Sequence, residues 1–313
     1  MKILHYLAGA LIPALAFTSC LNSGEDAKNE ATYTYANTAN FNYVRDLETD
    51  ETAIMDGATY KINYDYTQAN VTVDISGLKV AEDLAQVSLK LPTLPFTTDL
   101  QSGLFVTRQN TVVPTNAIQN NYVFDTFILR ANPDRFIYVG GQLGSYPIYL
   151  PAFELNSRYQ VTVFPIQSVY LGTTLSDSDK EGTTTYKYLG NLYAVTIDYK
   201  KLTASISVVQ SMFAENMPAK SFEIKNLPIQ LNESGYTIVT DPEVTYPIYT
   251  PSNKVMENCY VSDVRVSSFL NSGATGINFT LDLSGIDEKG FDYGVYKVRS
   301  SLTYYGTQES DKN

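Results

Sequence analysis

The fold is decided by residues 60–78, whose sequence is YKINYDYTQANVTVDISGL. Tyr60, Ile62 and Tyr64 are separated by single polar residues, and the valines after the turn repeat this alternation. A period of two is typical of a strand that buries one face and exposes the other. The stretch therefore predicts two successive strands of a sheet, joined by a polar turn.

The same pattern recurs 133 residues later as YAVTIDYKKLTASISVVQS, residues 193–211. Residues 60–97 align without a gap on residues 193–230. A period this long indicates two copies of a whole domain rather than a solenoid of short units. Eight pairs are identical: Tyr60/Tyr193, Asp65/Asp198, Tyr66/Tyr199, Ala81/Ala214, Glu82/Glu215, Ser88/Ser221, Leu94/Leu227 and Pro95/Pro228.

Alternating stretches and Ser-Gly turn signals continue through both copies, and each copy is predicted to hold seven or eight short strands. We therefore expect an all-β protein with two tandem, internally duplicated antiparallel β-sandwich domains, immunoglobulin-like or transthyretin-like in layout. A closed barrel is the alternative architecture. One helical turn is possible in each copy, at residues 80–86 and 213–219.

The N-terminus has the features of a bacterial lipoprotein signal. Residues 3–17 are almost wholly apolar, but the run is shorter than the roughly 20 residues needed to span a bilayer. Small residues then precede Cys20, which is predicted to carry lipid after cleavage. An ordinary secretory signal with a chance cysteine is the alternative. The predicted organisation is a signal peptide at 1–19, a tether at 20–40, repeats at 41–175 and 186–308, and a linker at 176–185.

Composition excludes several classes of function. The formal net charge of −11 opposes binding to phosphate backbones, so we predict no nucleic-acid partner. The one histidine, His5, lies in the signal, which leaves the mature chain without an imidazole for a catalytic triad or a zinc site. With Cys20 lipidated, Cys259 has no disulfide partner and is expected to be a buried small residue. We predict a non-enzymatic protein that needs no cofactor.

Two similar aromatic segments bracketed by proline, residues 146–151 and 246–251, are candidate contact surfaces. They contribute four candidate ligand-binding residues: Tyr146, Tyr149, Tyr246 and Tyr249. Because a working site is expected where one copy departs from the other, residues 132–155 of the first copy are the preferred location.

Acidic residues offer only weak candidates for a site. Asp177, Asp179 and Glu181 resemble the opening of a calcium loop, although a solvated linker is the favoured interpretation and position twelve of the loop is Tyr188. The duplicated acids are interpreted as turn residues, since a catalytic pair is needed once and a fold needs its turns in both copies. These acids are Asp65, Asp198, Glu82 and Glu215.

The signal ending in Thr18-Ser19-Cys20, the acids Glu25-Asp26 and the Tyr- and Asn-rich β-domains together resemble surface lipoproteins of the Bacteroidota. This resemblance is to a class, and it implies a protein anchored by lipid in the outer membrane and exposed at the cell surface. It further implies a module that binds a glycan, a peptide or a partner protein. The alternative is a pilus-type or other surface assembly subunit, trimmed at Arg45 and joined by strand addition.

Overall fold

The computed structural model describes residues 32–37, 39–99, 105–116, 122–131, 137–139, 142–144, 148–179, 185–215, 217–270, 273–284 and 294–307. All regular secondary structure in these ranges is β-strand, which confirms the all-β prediction. The chain divides into two compact units between Ile166 and Gln167. Among the described residues, those up to 166 form the first unit and residues 167–305 form the second.

The first unit is built from two large antiparallel sheets and one separate hairpin. Its strands are β1 (Thr32–Asn37), β2 (Asn40–Asp46), β3 (Thr52–Asp56), β4 (Thr59–Asp65), β5 (Asn70–Leu78), β6 (Val87–Lys90), β7 (Leu94–Pro95), β8 (Thr97–Thr98), β9 (Phe105–Val112), β10 (Phe124–Ala131), β11 (Ile137–Val139), β12 (Gln142–Gly144), β13 (Ile148–Leu155) and β14 (Tyr159–Pro165).

One sheet has the order β3-β2-β14-β13-β10-β9-β8, and the other has the order β1-β4-β5-β6 with β7 also paired to β5. A separate hairpin joins β11 to β12. The core combines buried side chains from both sheets, such as Ile62 and Val73 from one and Phe127 and Val161 from the other. The first unit therefore has the two-layer packing expected of a sandwich.

The chain turns a sharp corner between β3 and β4, where it passes from one sheet to the other. Asn40 holds this corner, because its side chain donates to the Ala58 carbonyl at 2.7 Å and accepts from the Ala58 amide at 3.2 Å. A Cβ atom on Gly57 would lie 2.0 Å from the Asn40 carbonyl oxygen. Only glycine fits this close approach of two backbone segments.

The second unit is a closed barrel. Its strands are β15 (Gln167–Ser178), β16 (Tyr186–Asp198), β17 (Thr203–Ser211), β18 (Lys220–Pro228), β19 (Gln230–Asn232), β20 (Gly235–Val239), β21 (Tyr246–Tyr249), β22 (Val255–Phe269), β23 (Ala274–Asp282) and β24 (Val295–Thr307).

Eight of these strands form a continuous ring in the order β22-β21-β18-β17-β16-β15-β24-β23, and β23 pairs back to β22. The hairpin of β19 and β20 extends the wall, because β20 pairs with the C-terminal part of β22. The sandwich prediction is therefore wrong for the second unit, and the alternative of a closed barrel is correct there. Four of the eight ring strands are 12 to 15 residues long, namely β15, β16, β22 and β24.

The two units repeat the same strand register at their start. Tyr60 faces Ile75 across β4 and β5, and Tyr193 faces Val208 across β16 and β17, with every number shifted by 133. The 133-residue period is thus also seen in the strand pairing of this one hairpin.

The structure differs from the predicted organisation at the boundary and in the helical turns. Residues 167–178 form β15, which is hydrogen-bonded to β16 and so belongs to the second unit rather than to a first copy ending at 175. The first three residues of the predicted 176–185 linker are likewise part of this strand. The described residues of the possible helical turns form turns and bends instead.

Candidate binding surface on the second unit

Several sequence candidates lie outside the described residues, namely Cys20, Tyr146 and Glu181. Tyr149 lies in β13, where its backbone faces Arg130 of β10, and its side chain is outside the described part of the chain. The structure thus describes the second aromatic segment, at residues 246–251, in more detail than the first.

Tyr246 and Tyr249 both lie in β21, in the wall of the barrel. Successive side chains of a strand point to opposite faces, and residues three apart therefore do not share a face. Ile248 is fully buried, whereas its neighbours Pro247 and Tyr249 are partly exposed. The two tyrosines therefore do not form one platform, and Tyr249 is the one on the outer face.

The structure brings Tyr249 together with side chains that the sequence analysis did not select. Tyr249 faces Val255 across β21 and β22, and Pro247 faces Tyr260. Val255 is 53% exposed and Tyr260 is 40% exposed, so these side chains lie on the outside of the barrel. We call Pro247, Tyr249, Val255 and Tyr260 the wall patch. Tyr260 could have been selected from the sequence, because it directly follows Cys259, which was predicted to be buried. Alternation along a strand then places Tyr260 on the exposed face.

Lys225 fixes the ring of Tyr249. Its Nζ lies 4.9 Å from the centre of the ring, in the geometry of a cation–π contact. The same Nζ lies 3.1 Å from Glu223 Oε2 and donates to Asn253 Oδ1 at 2.6 Å. The ammonium group is thus contacted from three sides, and the Tyr249 ring is one of its three partners.

A second surface feature lies at the other end of β22. The hairpin of β19 and β20 and residues 267–269 of β22 surround a cleft of about 300 Å³. We call it the hairpin cleft. Sequence reasoning missed it, because the cleft exists only where β20 pairs with the C-terminal part of β22, far along the chain.

The candidate calcium residues are engaged by other groups. Asp177 lies in β15, where it forms an ion pair with Arg299 at 2.5 Å and accepts a hydrogen bond from Thr185. The Thr185 hydroxyl, followed by the Arg299 guanidinium, holds the pKa of Asp177 below its usual range. Asp179 accepts from the Val295 amide at 3.1 Å. Throughout the described ranges, no cluster of three or more His, Cys, Asp or Glu side chains is arranged to hold a metal ion.

The duplicated aspartates have the turn role that the sequence suggested. Asp65 accepts from the amides of Thr67 and Gln68 in the turn after β4. Asp198 accepts from the Lys201 amide at the equivalent turn, and the Lys201 ammonium donates to it and lowers the pKa of the Asp198 carboxyl. Carboxylates committed to turn amides stabilise the hairpin and are poorly placed to act as an acid and base pair.

Three further sequence candidates are placed by the structure. Cys259 is fully buried in β22, as a small core residue would be. Arg45 lies within β2, between β3 and β14, and forms an ion pair with Asp50 at 2.6 Å. Glu82 is exposed and forms an ion pair with Lys79. None of the described segments is a helix long and apolar enough to cross a membrane.

Comparison with known proteins gives little additional information. No protein-family model matches the chain, and no curated protein sequence matches it. Among solved structures, it is similar over 87% of its length to the isotype 1 transferrin-binding protein B from serogroup B Neisseria meningitidis, at 11% identity, 76% coverage of that chain and a TM-score of 0.22. It is also similar to intact Ap-TbpB with its N and C lobes, at 10% identity, coverages of 90% and 82% and a TM-score of 0.20. These TM-scores are too low to transfer a fold or a function.

Proposed function

We propose that this protein is a non-enzymatic binding protein, anchored by lipid at Cys20 in the outer membrane and exposed at the cell surface, and that it binds a partner protein through the wall patch. The anchor rests on the predicted signal at residues 1–19 and on the resemblance to Bacteroidota surface lipoproteins. The wall patch supports the binding role.

The single observation that carries the binding role is an exposed aromatic and aliphatic cluster in which one ring, that of Tyr249, has a cation–π contact with Lys225. Tyrosine is enriched at protein interfaces because it combines a large apolar ring with a polar tip. A ring whose orientation is fixed in advance loses little conformational entropy on binding, which favours affinity. The Lys225 contact with Tyr249 provides this kind of preorganisation.

The position of the wall patch favours a macromolecule over a small ligand. Its side chains project from neighbouring strands on the outer wall of a barrel, whereas small-molecule sites are usually concave. Exposed apolar clusters of this kind typically mark surfaces that contact another protein. A partner with an apolar centre would suit the patch, because the Lys225 ammonium is already paired with Glu223.

The test is binding of residues 21–313 to an array of extracellular and cell-surface proteins. We expect a specific interaction that is lost when Val255 and Tyr260 are both replaced by aspartate. The matched control is Val113→Asp in the first unit, where Val113 is 55% exposed and lies outside the wall patch. An interaction that survives the double substitution, or no specific interaction at all, would reject the proposed surface.

The anchor has its own test in cells. Intact mass spectrometry of the membrane fraction should show an acylated mature N-terminus at Cys20, which Cys20→Ser abolishes. Processing at Arg45 instead would favour the assembly-subunit alternative. Such cleavage would remove β1 and most of β2, which pair with β4 and β14 in the structure.

A further inference from the structure

The wall patch contains two tyrosine rings, and the structure shows a cation on one of them. The ring of Tyr249 is contacted by the Lys225 ammonium at 4.9 Å, and Glu223 pairs with that ammonium at 3.1 Å. The ring of Tyr260 is 40% exposed, and its side chain makes no hydrogen bond, ion pair or ring contact in the described part of the chain. The face of this second ring is therefore available to a cation from another molecule.

A bulge in β22 places a carboxylate on the same strand as this ring. From Val255 to Tyr260, β22 advances five residues, while β21 advances only two, from Tyr249 to Pro247. The additional residues include Glu257, which is exposed. A bulge changes the direction in which side chains point. The Glu257 carboxylate therefore lies on the outside of the barrel, within the sequence that links two members of the wall patch.

A second carboxylate lies across the sheet from the ring. Asp282 of β23 pairs directly with Tyr260 and is partly exposed. Directly opposed residues of antiparallel strands have Cβ atoms about 5 Å apart on the same face. The Oδ1 atom of Asp282 accepts from the Ser284 amide at 2.9 Å, which orients the carboxylate. The Tyr260 ring therefore has one carboxylate beside it on β23 and another further along β22.

Neither carboxylate is paired with a cation. Glu257 and Asp282 form no ion pair within the described ranges. Lys254 precedes Glu257 by three residues, which corresponds to about 10 Å along a strand. Lys297 lies on β24, two strands away from Tyr260. Because the chain has a formal net charge of −11, its long-range field also attracts cationic groups.

We propose that the partner bound by the wall patch presents an arginine side chain, which lies on the Tyr260 ring near Glu257 and Asp282. This inference rests on the proposed function and names the chemistry of the partner. A guanidinium group is planar, so it stacks on an aromatic face while its N–H groups donate to carboxylates at its edge. The contact of Lys225 with Tyr249 is an example of the same kind of interaction within the chain.

The apolar members of the patch favour arginine over lysine at this position. Pro247 and Val255 lie beside the two rings, and a partner that covers them excludes water from the contact. Arginine is more weakly hydrated than lysine, and it is enriched together with tyrosine at the centres of protein interfaces. A bidentate contact with a carboxylate is also possible for a guanidinium but not for an ammonium group.

The test is a selection of random peptides displayed on phage against residues 21–313. Peptides that bind the original protein but not a variant carrying Val255→Ser and Tyr260→Ser depend on the wall patch. We expect arginine to be the most enriched residue in these peptides. Replacing that arginine by citrulline, which has a similar shape but no charge, should weaken binding by about fivefold or more.

Substitutions in the protein test each part of the proposed contact. Glu257→Lys should weaken binding of the arginine peptides by about tenfold, and Asp282→Asn by about threefold. Tyr260→Phe keeps the aromatic face and should bind normally, whereas Tyr260→Leu keeps only the apolar surface and should bind more weakly. The matched control is Glu51→Lys, which reverses an exposed charge in the first unit and should leave binding unchanged.

The outcomes separate this proposal from the proposed function. Peptides that depend on the wall patch but lack arginine, or that bind Glu257→Lys as well as the original protein, would overturn the arginine contact and leave the binding surface intact. If no selected peptide depends on Val255 and Tyr260, the surface itself is rejected together with the arginine contact. All substituted side chains are exposed or partly exposed, so each variant should melt near the temperature of the original protein.

Discussion

The two units have different backbone structures at equivalent positions of the repeat. Gly57 and Gly190 occupy equivalent positions, 133 residues apart. In the first unit the strand ends beside Gly57, and the chain crosses to another sheet as β4. In the second unit, β16 continues through Gly190, which has a φ of 80° and is skipped in the pairing between Gly172/Asn191 and Thr173/Leu189. Gly190 is therefore the extra residue of a β-bulge.

This difference shows that one shared residue serves two physical purposes. Gly57 is required for space, because Asn40 of the neighbouring strand lies against it. Gly190 is required for its backbone conformation, and no atom lies within 4 Å of the position that a Cβ would take. A bulge bends the strand but preserves its hydrogen bonds to the neighbouring strands, so β16 remains part of a closed ring. The break at Gly57 instead divides the first unit into two sheets.

The strongest test of the comparison is to replace each of these glycines by alanine. Gly57→Ala should destabilise the first unit by about 3 kcal/mol or more, because two backbone segments must separate. Gly190→Ala should cost the second unit only about 1 kcal/mol, the penalty of a left-handed conformation. Urea titration of residues 21–313, followed by hydrogen exchange of peptides from each unit, measures both effects. Equal losses of unfolding free energy in the two variants would contradict the different roles of Gly57 and Gly190.

The next-largest difference in stability between the units is expected when an asparagine near each glycine, Asn40 or Asn191, is replaced by alanine. Asn40→Ala removes both hydrogen bonds to Ala58 in a buried site, and we expect a loss of about 2–4 kcal/mol in the first unit. Asn191 occupies the position equivalent to Ala58, and its buried amide has no partner among the described residues. Asn191→Ala should therefore change stability by less than about 1 kcal/mol. A large loss there, in the same exchange experiment, would show that this amide is bonded in solution.

Replacing the equivalent tyrosines Tyr60 and Tyr193 by phenylalanine should give a smaller difference in stability between the units. Burial raises the pKa of Tyr60 and of Tyr193, so both hydroxyls stay neutral. Tyr60→Phe leaves the Asn42 Oδ1 without its donor, at about 1–2 kcal/mol. Tyr193→Phe should cost about 1 kcal/mol or less, because Thr174 and Ser300 still bond to each other at 2.8 Å. The urea midpoints of the two variants give the comparison, and a costlier Tyr193→Phe would contradict it.

The smallest expected difference between the units is in how their stability depends on pH. Arg158 donates to Asp46 and lowers the pKa of this carboxyl, so the folded state favours its ionised form. That stability is present above the pKa of the unfolded chain, about 4, and is lost as the pH falls through the lower pKa of the folded state. The Asp46 side chain is 18% exposed and that of Asp177 is 37% exposed. Because solvent screens exposed pairs, Asp46→Asn should flatten the acid dependence of the urea midpoint more than Asp177→Asn.

The local ladders were predictable from sequence, and the closure of the sheets was not. Alternation around Tyr60 and Tyr193 predicts the strands, and the 133-residue period predicts their shared register. Closure depends on pairings such as that of Ile224 with Ile248 and that of β15 with β24, which join strands far apart in the chain and which no local pattern specifies. Gly57 and Gly190 look identical in the alignment, and only the residues of the facing strand decide between a break and a bulge.

The candidate site was likewise only partly predictable, because it depends on which strands pair. Tyr249 was found from its segment, but Tyr246 was grouped with it because spacing along a chain does not show which wall a side chain faces. Val255 and Tyr260 became part of the patch through the pairing of β21 with β22, and Phe269 became part of the cleft through the pairing of β20 with β22.

The pairing of an early strand with a late strand in each unit has a consequence for how such a molecule can be lengthened or rearranged. In the second unit the first strand, β15, lies beside the last, β24, and in the first unit β2 lies beside β14. Chain ends that are neighbours make a module easy to copy in tandem, to insert into another protein or to permute circularly. Only Ile166 separates β14 from β15, so the two units follow each other with almost no connecting sequence.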